Sequence, residues 1–164
     1  MAAKSGAALN WKGLDKALGK ATHSLAHTQA LMESIGEGLV SGTRQRFRDE
    51  EAPDGQKWPQ SGRAAASGGQ TLTDTARLRD SIDYAATPDK VMVGSNLPYA
   101  RIHQLGGVIV PKKAKKLVFK GHNGTTRAVD KVTIPARPYL GVSESDLDDV
   151  RAAMADFLAG IFKV

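Results

Sequence analysis

The 164-residue sequence predicts one α+β domain, in which a mostly antiparallel β-sheet packs against a long N-terminal helix and a C-terminal helix. Three observations lead to this fold class. Apolar residues recur at helical spacing near both ends of the chain. Short segments of alternating residues, separated by turn residues, lie between them, as is typical of antiparallel strands. The length suits a single core, so we expect residues 1–164 to form one domain.

The first predicted helix spans Gly13–Asp49. Its apolar side chains recur at steps of three, four and seven, which places on one helical face Leu14, Leu18, Leu25, Met32, Ile35, Leu39 and Phe47. Glycine weakens a helix by up to ~1 kcal/mol relative to alanine, so the glycines of this segment predict a kink or break near residues 36–42. Residues 1–12 are expected to form either a flexible arm or a short strand.

A long surface loop is predicted over residues 53–70. It opens with Pro53-Asp54-Gly55, in which proline presets the first central position of a turn. From Trp58 to Gln70 the chain is rich in Ser, Gly, Ala and Arg and has no periodicity. Loops of this length usually bind a ligand or become ordered on assembly, and we expect the same here.

Short elements fill the middle of the chain. In order, they are a helix within Thr71–Ser81, a hairpin of strands Ser81–Ala86 and Lys90–Gly94, and a helix over Pro98–Leu105. Thr73 or Asp74 is the predicted cap of the first helix. Proline suits the first turn of the second helix, and Gly106-Gly107 is expected to end it.

A basic β-hairpin is predicted from the strands Ile109–Lys120 and Thr125–Ile134, with a turn at Gly121–Gly124. Its lysines are Lys112, Lys113, Lys115, Lys116 and Lys120. Such a cluster neutralises phosphates without reading bases, and it also discourages aggregation when it lies on an exposed strand edge. A third interpretation is docking on an acidic neighbouring subunit. All three remain open at this stage.

The last predicted element is a C-terminal helix capped by Ser143 or Ser145. Its first turns carry Asp146, Asp148 and Asp149, which favour the positive end of the helix dipole. The predicted buried stripe consists of Leu147, Val150, Met154, Phe157, Leu158 and Ile161.

Residue types and spacings predict no catalytic site, no cofactor and no metal. The sequence has no cysteine, and no third ligand accompanies His23 and His27, which stand four residues apart. Neither a nucleophile elbow nor a phosphate-binding glycine loop occurs. An acid–base set of His103 with Tyr99, Asp83 or Asp89 would require these separate segments to line one pocket.

Charge and hydropathy limit the partners. The formal net charge of +6 permits nucleic acid, a membrane surface or an acidic protein. No apolar run approaches the roughly 20 residues that a bilayer span requires, so we expect no membrane-spanning helix. We also expect no membrane among the partners.

Several segments together resemble the phage virion morphogenesis family of tail-completion proteins. They are Arg46-Phe47, Pro53–Trp58, Leu72–Ile82, Val91–Ser95, Tyr99–Gly107 and Ile134–Gly141. Their order and spacing match across residues 30–160. The last two segments are the most specific, and they supply the motif residues Tyr99, His103, Gln104, Gly106, Gly107, Pro135, Arg137 and Pro138.

The resemblance implies a structural virion protein that forms a ring, with six copies expected, at the top of the tail tube or in the neck. Such a subunit completes the tail and joins it to the head. The implied partners are other copies of the chain, tail-tube and neck or connector proteins, and DNA passing through the lumen. Assembly in the host cytoplasm is expected. A nucleic-acid-binding module that uses the same lysines is the alternative function.

The motif residues are expected to give rigidity. Tyr99, Ile102 and Leu105 recur every three residues and should face the sheet, while Arg101 and Gln104 point outward. A hydrogen bond of His103 should tie this helix to the adjoining turn. Pro135 and Pro138 should hold the following connection extended. Between these prolines, Arg137 is expected to pair with an acid or to join the lysines as a contact with DNA or a neighbouring subunit.

Overall fold

The computed structural model describes residues 18–23, 28–121 and 124–162. Within these ranges the helices are α1 (Gln29–Asp49), α2 (Gly62–Ser67), α3 (Arg77–Asp80), α4 (Ala100–Leu105) and α5 (Glu144–Phe162). The strands are β1 (Ile82–Thr87), β2 (Lys90–Ser95), β3 (Gly107–Ile109), β4 (Leu117–Lys120), β5 (Thr126–Val129) and β6 (Val132–Ile134). Residues 18–23 are helical as well. The predicted α+β class is confirmed.

The strands of the described residues form three antiparallel pairs rather than one continuous sheet. β1 pairs with β2, with Thr87 opposite Lys90, which confirms the central hairpin. β3 pairs with β6, and β4 pairs with β5. Both long strands predicted for the basic hairpin are therefore interrupted. On one side the cause is visible, because Pro111 has no N–H to donate and the chain bends through residues 112–116.

Helix α1 is shorter than predicted. It begins at Gln29, since Thr28 lies outside the helix, and it keeps its predicted C-terminal end. Residues 1–17 and 24–27, which include the predicted N-terminal arm, lie outside the described residues. A kink or break was predicted near residues 36–42; because α1 runs without interruption, a break there is wrong.

The glycines of α1 allow close packing rather than a break. A Cβ atom at Gly36 would overlap the ring of Tyr84 on β1, and one at Gly42 would overlap the carboxylate of Asp146 on α5. Glycine is suited to such positions because it has no side chain. The β1–β2 hairpin and α5 therefore pack directly on α1, and α5 packs on this helix rather than on a sheet as predicted.

The core lies where α1 meets the β1–β2 hairpin and the connections around it. At its centre is Phe47, fully buried, whose ring centroid lies 5.5 Å from that of Trp58 and 5.1 Å from that of Tyr139. The other buried apolar residues of the cluster are Val40, Ala52, Leu78, Ile82 and Ala100. Edge-on and tilted contacts between aromatic rings add roughly 0.5–1.5 kcal/mol to the hydrophobic gain.

The region predicted as a loop, residues 53–70, is more ordered than expected. It contains α2, whose first turn is capped by the Ser61 hydroxyl, which accepts a hydrogen bond from Ala64 N at 3.1 Å. Gly68 ends the helix in the left-handed conformation. Trp58 is buried in the core. Serine and glycine are common helix caps, so the sequence contained the signals for α2.

Helix α3 is a single turn, shorter than the helix predicted within residues 71–81. Ala76 precedes it with φ of 57°, so neither Thr73 nor Asp74 caps the helix as predicted. Thr71 explains why the helix starts late. It is buried, its N–H donates to the Glu50 carboxylate and its hydroxyl accepts from the backbone N–H that leads into α2. These bonds hold the start of the turn that precedes α3, residues 71–76.

Helix α5 begins as predicted but presents a different face. Ser143 is the cap, accepting a hydrogen bond from Asp146 N at 3.2 Å. Asp146 turns toward α1 and is buried, so it is more than a partner of the helix dipole. Because Asp146 faces α1, the side chains that share its helical face also point inward, and these include Val150, Phe157 and Ile161.

The other half of the predicted α5 stripe is exposed. Leu147, Met154 and Leu158 retain 37%, 47% and 43% of their accessible surface. The prediction that these three residues are buried is wrong, because the position of Asp146 rotates them away from α1.

Candidate functional site

The Pro135–Gly141 segment, here called the 135–141 segment, contains the motif residues Pro135, Arg137 and Pro138 and has no regular secondary structure. Its backbone does not pair with a strand, so its polar groups need other partners. Gln104 supplies them. Its Oε1 accepts from Tyr139 N and from Leu140 N at 2.9 Å each, and its Nε2 donates to Leu140 O at 2.9 Å. The prediction that Gln104 points outward is wrong. The prediction that Tyr99 and Leu105 face inward is also wrong, because both side chains are exposed.

Three other side-chain groups hold the same segment. Trp58 Nε1 donates to Pro138 O at 2.8 Å, and Arg46 Nη1 donates to Tyr139 O at 3.1 Å. The Tyr139 hydroxyl donates to Ala100 O at 3.0 Å. Burial raises the pKa of Tyr139. Helix α1, the residues before α2, and α4 are thereby tied to the 135–141 segment.

A buried ion pair joins α1 to α5. Arg46 is 5% exposed and Asp146 is 4% exposed, and the guanidinium donates directly to the carboxylate. Arg46 also donates to Thr43 Oγ1 at 3.2 Å, and the carboxylate accepts from Ser143 N at 2.7 Å. Both charges therefore have several partners, as buried charges require. The sequence analysis missed this pair, because its members stand 100 residues apart.

Helix α4 meets the 135–141 segment through glycine. It starts at Ala100, later than predicted, and ends as expected at Gly106, which has φ of 69°. A Cβ atom at Gly106 would overlap Ala136 N and press against Ile134 O, so only glycine fits this close approach. Gly107 then begins β3.

Arg137 lies apart from the lysines with which it was grouped. It is 5% exposed, its Nε donates to Pro59 O at 2.7 Å, and its N–H donates to His103 O at 2.8 Å. At His103, the bond to this segment is accepted by the backbone carbonyl and is not formed by the imidazole. The Nε and backbone N–H of Arg137 are therefore bound within the domain, whereas the predicted lysines are exposed.

The His103 ring is buried on one side. Among the described residues, its Nδ1 is a buried polar atom without a hydrogen-bond partner. Burial lowers the pKa of His103, and the positive charge of Arg137 lowers it further. The ring meets Tyr99 edge-on with centroids 6.1 Å apart.

A cavity of about 440 Å³ opens beside His103. Its lining includes Arg63, Arg77 and Arg137 together with Tyr99 and His103. Asp83 and Asp89 belong to the β1–β2 hairpin and its turn and do not line it. The imagined acid–base set is therefore reduced to His103 and Tyr99.

Residues 107–134, here called the hairpin arm, carry the predicted lysines. Lys112, Lys113, Lys115 and Lys116 lie in the bend between β3 and β4, and all are exposed. Lys116 Nζ is 3.7 Å from Asp130. Only Lys120 belongs to a strand, so protection of a strand edge explains that lysine and not the other four.

The hairpin arm also exposes apolar side chains. None of its described residues is buried. Its large exposed apolar residues are Val108, Ile109, Val110, Val118 and Phe119. The arm therefore contains two antiparallel strand pairs with no core of their own.

Two further tests concern metals and membranes. In residues 18–23, 28–121 and 124–162, no three histidine or acidic side chains come together as a metal site would require. Nor does a helix in that part of the chain combine the length and hydropathy of a membrane span. His27 lies outside the described residues, so the His23–His27 spacing receives no structural account.

Comparison with known proteins gives one family and one relative. The profile of the phage virion morphogenesis family matches residues 9–159. The Mu-like prophage FluMu G protein 2 of Haemophilus influenzae is 30% identical over 154 residues, which cover 94% of this chain and 95% of that protein. No solved structure matches the chain significantly. The matched range includes the 135–141 segment, the cavity and the hairpin arm.

Proposed function

This chain belongs to the phage virion morphogenesis family, and we propose that it completes the phage tail and joins it to the head. The family resemblance read from the sequence motifs is confirmed. Membership makes the chain a structural, virion-associated protein. The proposal adds a ring, expected to contain six copies, at the top of the tail tube or in the neck. Its partners are then other copies of the chain and the tail-tube and neck proteins.

The observation that carries the proposal is the hairpin arm. Five large apolar side chains are exposed on residues 108–119, although isolated two-stranded hairpins are marginally stable in water. Large apolar side chains that are exposed together on one segment favour a contact with another protein. If each arm packs on the body of the next copy, the contact is head-to-tail, and such contacts generate rings when the rotation closes.

The lysines of the arm fit the same role. Lys112, Lys113 and Lys115 form no ion pair with any described residue, so their charges remain available to a partner. In a ring they would face either the DNA in the lumen or an acidic neighbour. The second candidate function, nucleic-acid binding by the free subunit, uses the same lysines and predicts strongly salt-dependent affinity for DNA. The joining role predicts weak binding until the ring forms.

The assembly state tests the ring. Light scattering of the purified protein should give a monomer or a weak oligomer, and negative-stain images of tails with the protein bound should show a ring at one end. Tight binding of DNA by the monomer that falls steeply with salt would favour the second function. A single copy bound to each tail would contradict the ring.

A pair of double variants tests the role of the arm. Val118→Ser with Phe119→Ser removes apolar groups from the arm, whereas Met154→Ser with Leu158→Ser removes similarly exposed groups from α5. Both proteins should melt near the parent temperature. The arm variant should fail to form rings and should leave free tails, while the α5 variant should assemble. Normal rings from the arm variant would remove the arm from the proposal.

A further inference from the structure

Arg137 is a buried cation without an acidic partner. Arg137 is only 5% exposed, yet no carboxylate of the described residues lies within ion-pair distance of it. Its Nε is used by Pro59 O, and its two terminal nitrogens form no hydrogen bond with the described part of the chain. Burial lowers the pKa of Arg137, which reflects the free-energy cost of holding the charge there. Arg46, equally buried, has Asp146.

The surroundings of Arg137 are also positive. The cavity that it lines holds two more guanidinium groups, those of Arg63 and Arg77, and one carboxylate, that of Asp74. Arg63 Nη1 lies 3.6 Å from Asp74. The Arg77 side chain forms no hydrogen bond or ion pair with any described residue. Three cations against one anion leave two positive charges without compensation, one of them buried.

We propose that this cavity binds a carboxylate side chain from an acidic segment of a neighbouring polypeptide. The terminal nitrogens of Arg137 pair with the carboxylate, and Arg77 at the rim provides the second cation. A guanidinium with two free nitrogens presents the geometry that a carboxylate accepts in bidentate fashion. The site concerns the chain itself and does not depend on where in the virion the chain stands.

Size and lining favour a protein carboxylate over nucleic acid. A volume of about 440 Å³ accommodates one or two amino-acid side chains, and Leu72, Tyr99 and Pro135 line it together with the cations. The phosphates of a duplex follow a regular outer surface and are contacted by exposed lysine and arginine. A largely buried arginine that lines a cavity suits a side chain that enters the cavity.

The probe is a blocked peptide with two glutamates between glycines, and its control is the same peptide with glutamines. Nuclear magnetic resonance of the full chain would follow the His103 ring and the arginine side chains during titration. We expect the acidic peptide to shift these signals and the glutamine peptide to leave them unchanged. Binding should also raise the pKa of His103, because the carboxylate offsets the charge of Arg137.

Three variants with the same change of charge complete the test. Arg77→Gln and Arg137→Gln should weaken peptide binding at least ten-fold, whereas Arg101→Gln, exposed on α4 and outside this cavity, should have no effect. If Arg137→Gln fails to fold, Arg77→Gln still tests the site, because Arg77 is exposed. The proposal is overturned if the acidic peptide gives no shift, if both cavity variants bind like the parent, or if inorganic phosphate binds more tightly than the peptide.

Discussion

The hairpin arm and the 135–141 segment are consecutive in the chain, yet they differ in which groups the domain itself satisfies or buries. The segment has no strand to pair with, and side chains from three other parts of the domain satisfy its backbone. The arm satisfies its own backbone through two ladders but leaves its large apolar side chains in solvent. The backbone of the segment is satisfied by its own chain. The arm has surface that another chain could cover.

This difference has a physical basis. An unpaired buried polar group costs roughly 1–3 kcal/mol, so an irregular segment inside a domain must find its partners within the fold. Exposed apolar surface has a smaller cost per atom and can be covered later by assembly. The two regions should therefore respond differently to substitution: changes around the segment should lower stability, and changes in the arm should affect assembly.

The largest effect on stability is expected at the ion pair beside the segment. Asp146→Asn leaves Arg46 buried without a counter-charge, which should lower the free energy of unfolding by roughly 3–5 kcal/mol. Asp148→Asn is the control. Asp148 Oδ1 lies 2.7 Å from Arg151 Nη1, but the Asp148 side chain is 74% exposed. That change should cost less than about 1 kcal/mol. Urea unfolding measures both, and equal losses would contradict the importance of burial.

Gln104→Leu should have the next largest effect. It preserves much of the side-chain volume but leaves the N–H groups of Tyr139 and Leu140 without an acceptor. The expected loss is about 2–4 kcal/mol, since each orphaned group costs roughly 1–3 kcal/mol. Thermal and urea unfolding would measure it. Arg101→Leu on the outer side of the same helix is the control and should change stability by about 0.5 kcal/mol or less.

Two glycines of α1 should respond with opposite signs. Gly36→Ala places a methyl group against the Tyr84 ring and should destabilise the fold by about 1–3 kcal/mol. A Cβ atom at Gly38 meets nothing within 4 Å, so Gly38→Ala should stabilise the helix by up to about 1 kcal/mol. Differential scanning calorimetry of the two variants would decide. Stabilisation by both substitutions would mean that packing on β1 does not require Gly36.

The smallest effect on stability is expected in the arm. Changing Lys112, Lys113, Lys115 and Lys116 to Gln removes four charges and takes the formal net charge from +6 to +2. Stability should change by about 0.5 kcal/mol or less, because these side chains are exposed. Tails should still form, but the joining of tails to heads should decrease. Added salt should decrease it further, since at 0.1 M ionic strength interactions between exposed charges are screened beyond about 10 Å. Counts of infectious particles and free tails in a complementation assay measure this, and unchanged counts at every salt concentration would contradict it.

The sequence by itself determined the features that depend on neighbouring residues. Turn and cap residues located the β1–β2 hairpin, the end of α4 at Gly106 and the Ser143 cap of α5. These signals are readable because a turn or a cap is formed within a few residues. The ordered set of short segments ending in Ile134–Gly141 identified the family, since the identity of residues at fixed spacing needs no coordinates.

The tertiary structure decided which face each element presents. The hydrophobic stripe of α5 allowed Leu158 to be buried, but Asp146 pairs with Arg46 and turns Leu158 outward. Helical spacing predicted Gln104 as a surface residue, but its Oε1 accepts hydrogen bonds from N–H groups of the 135–141 segment. The cavity at Arg137 likewise combines residues from α2, α3 and the ends of α4 and β6. Such choices depend on contacts between groups far apart in the chain, and helical periodicity alone carries no information about those contacts.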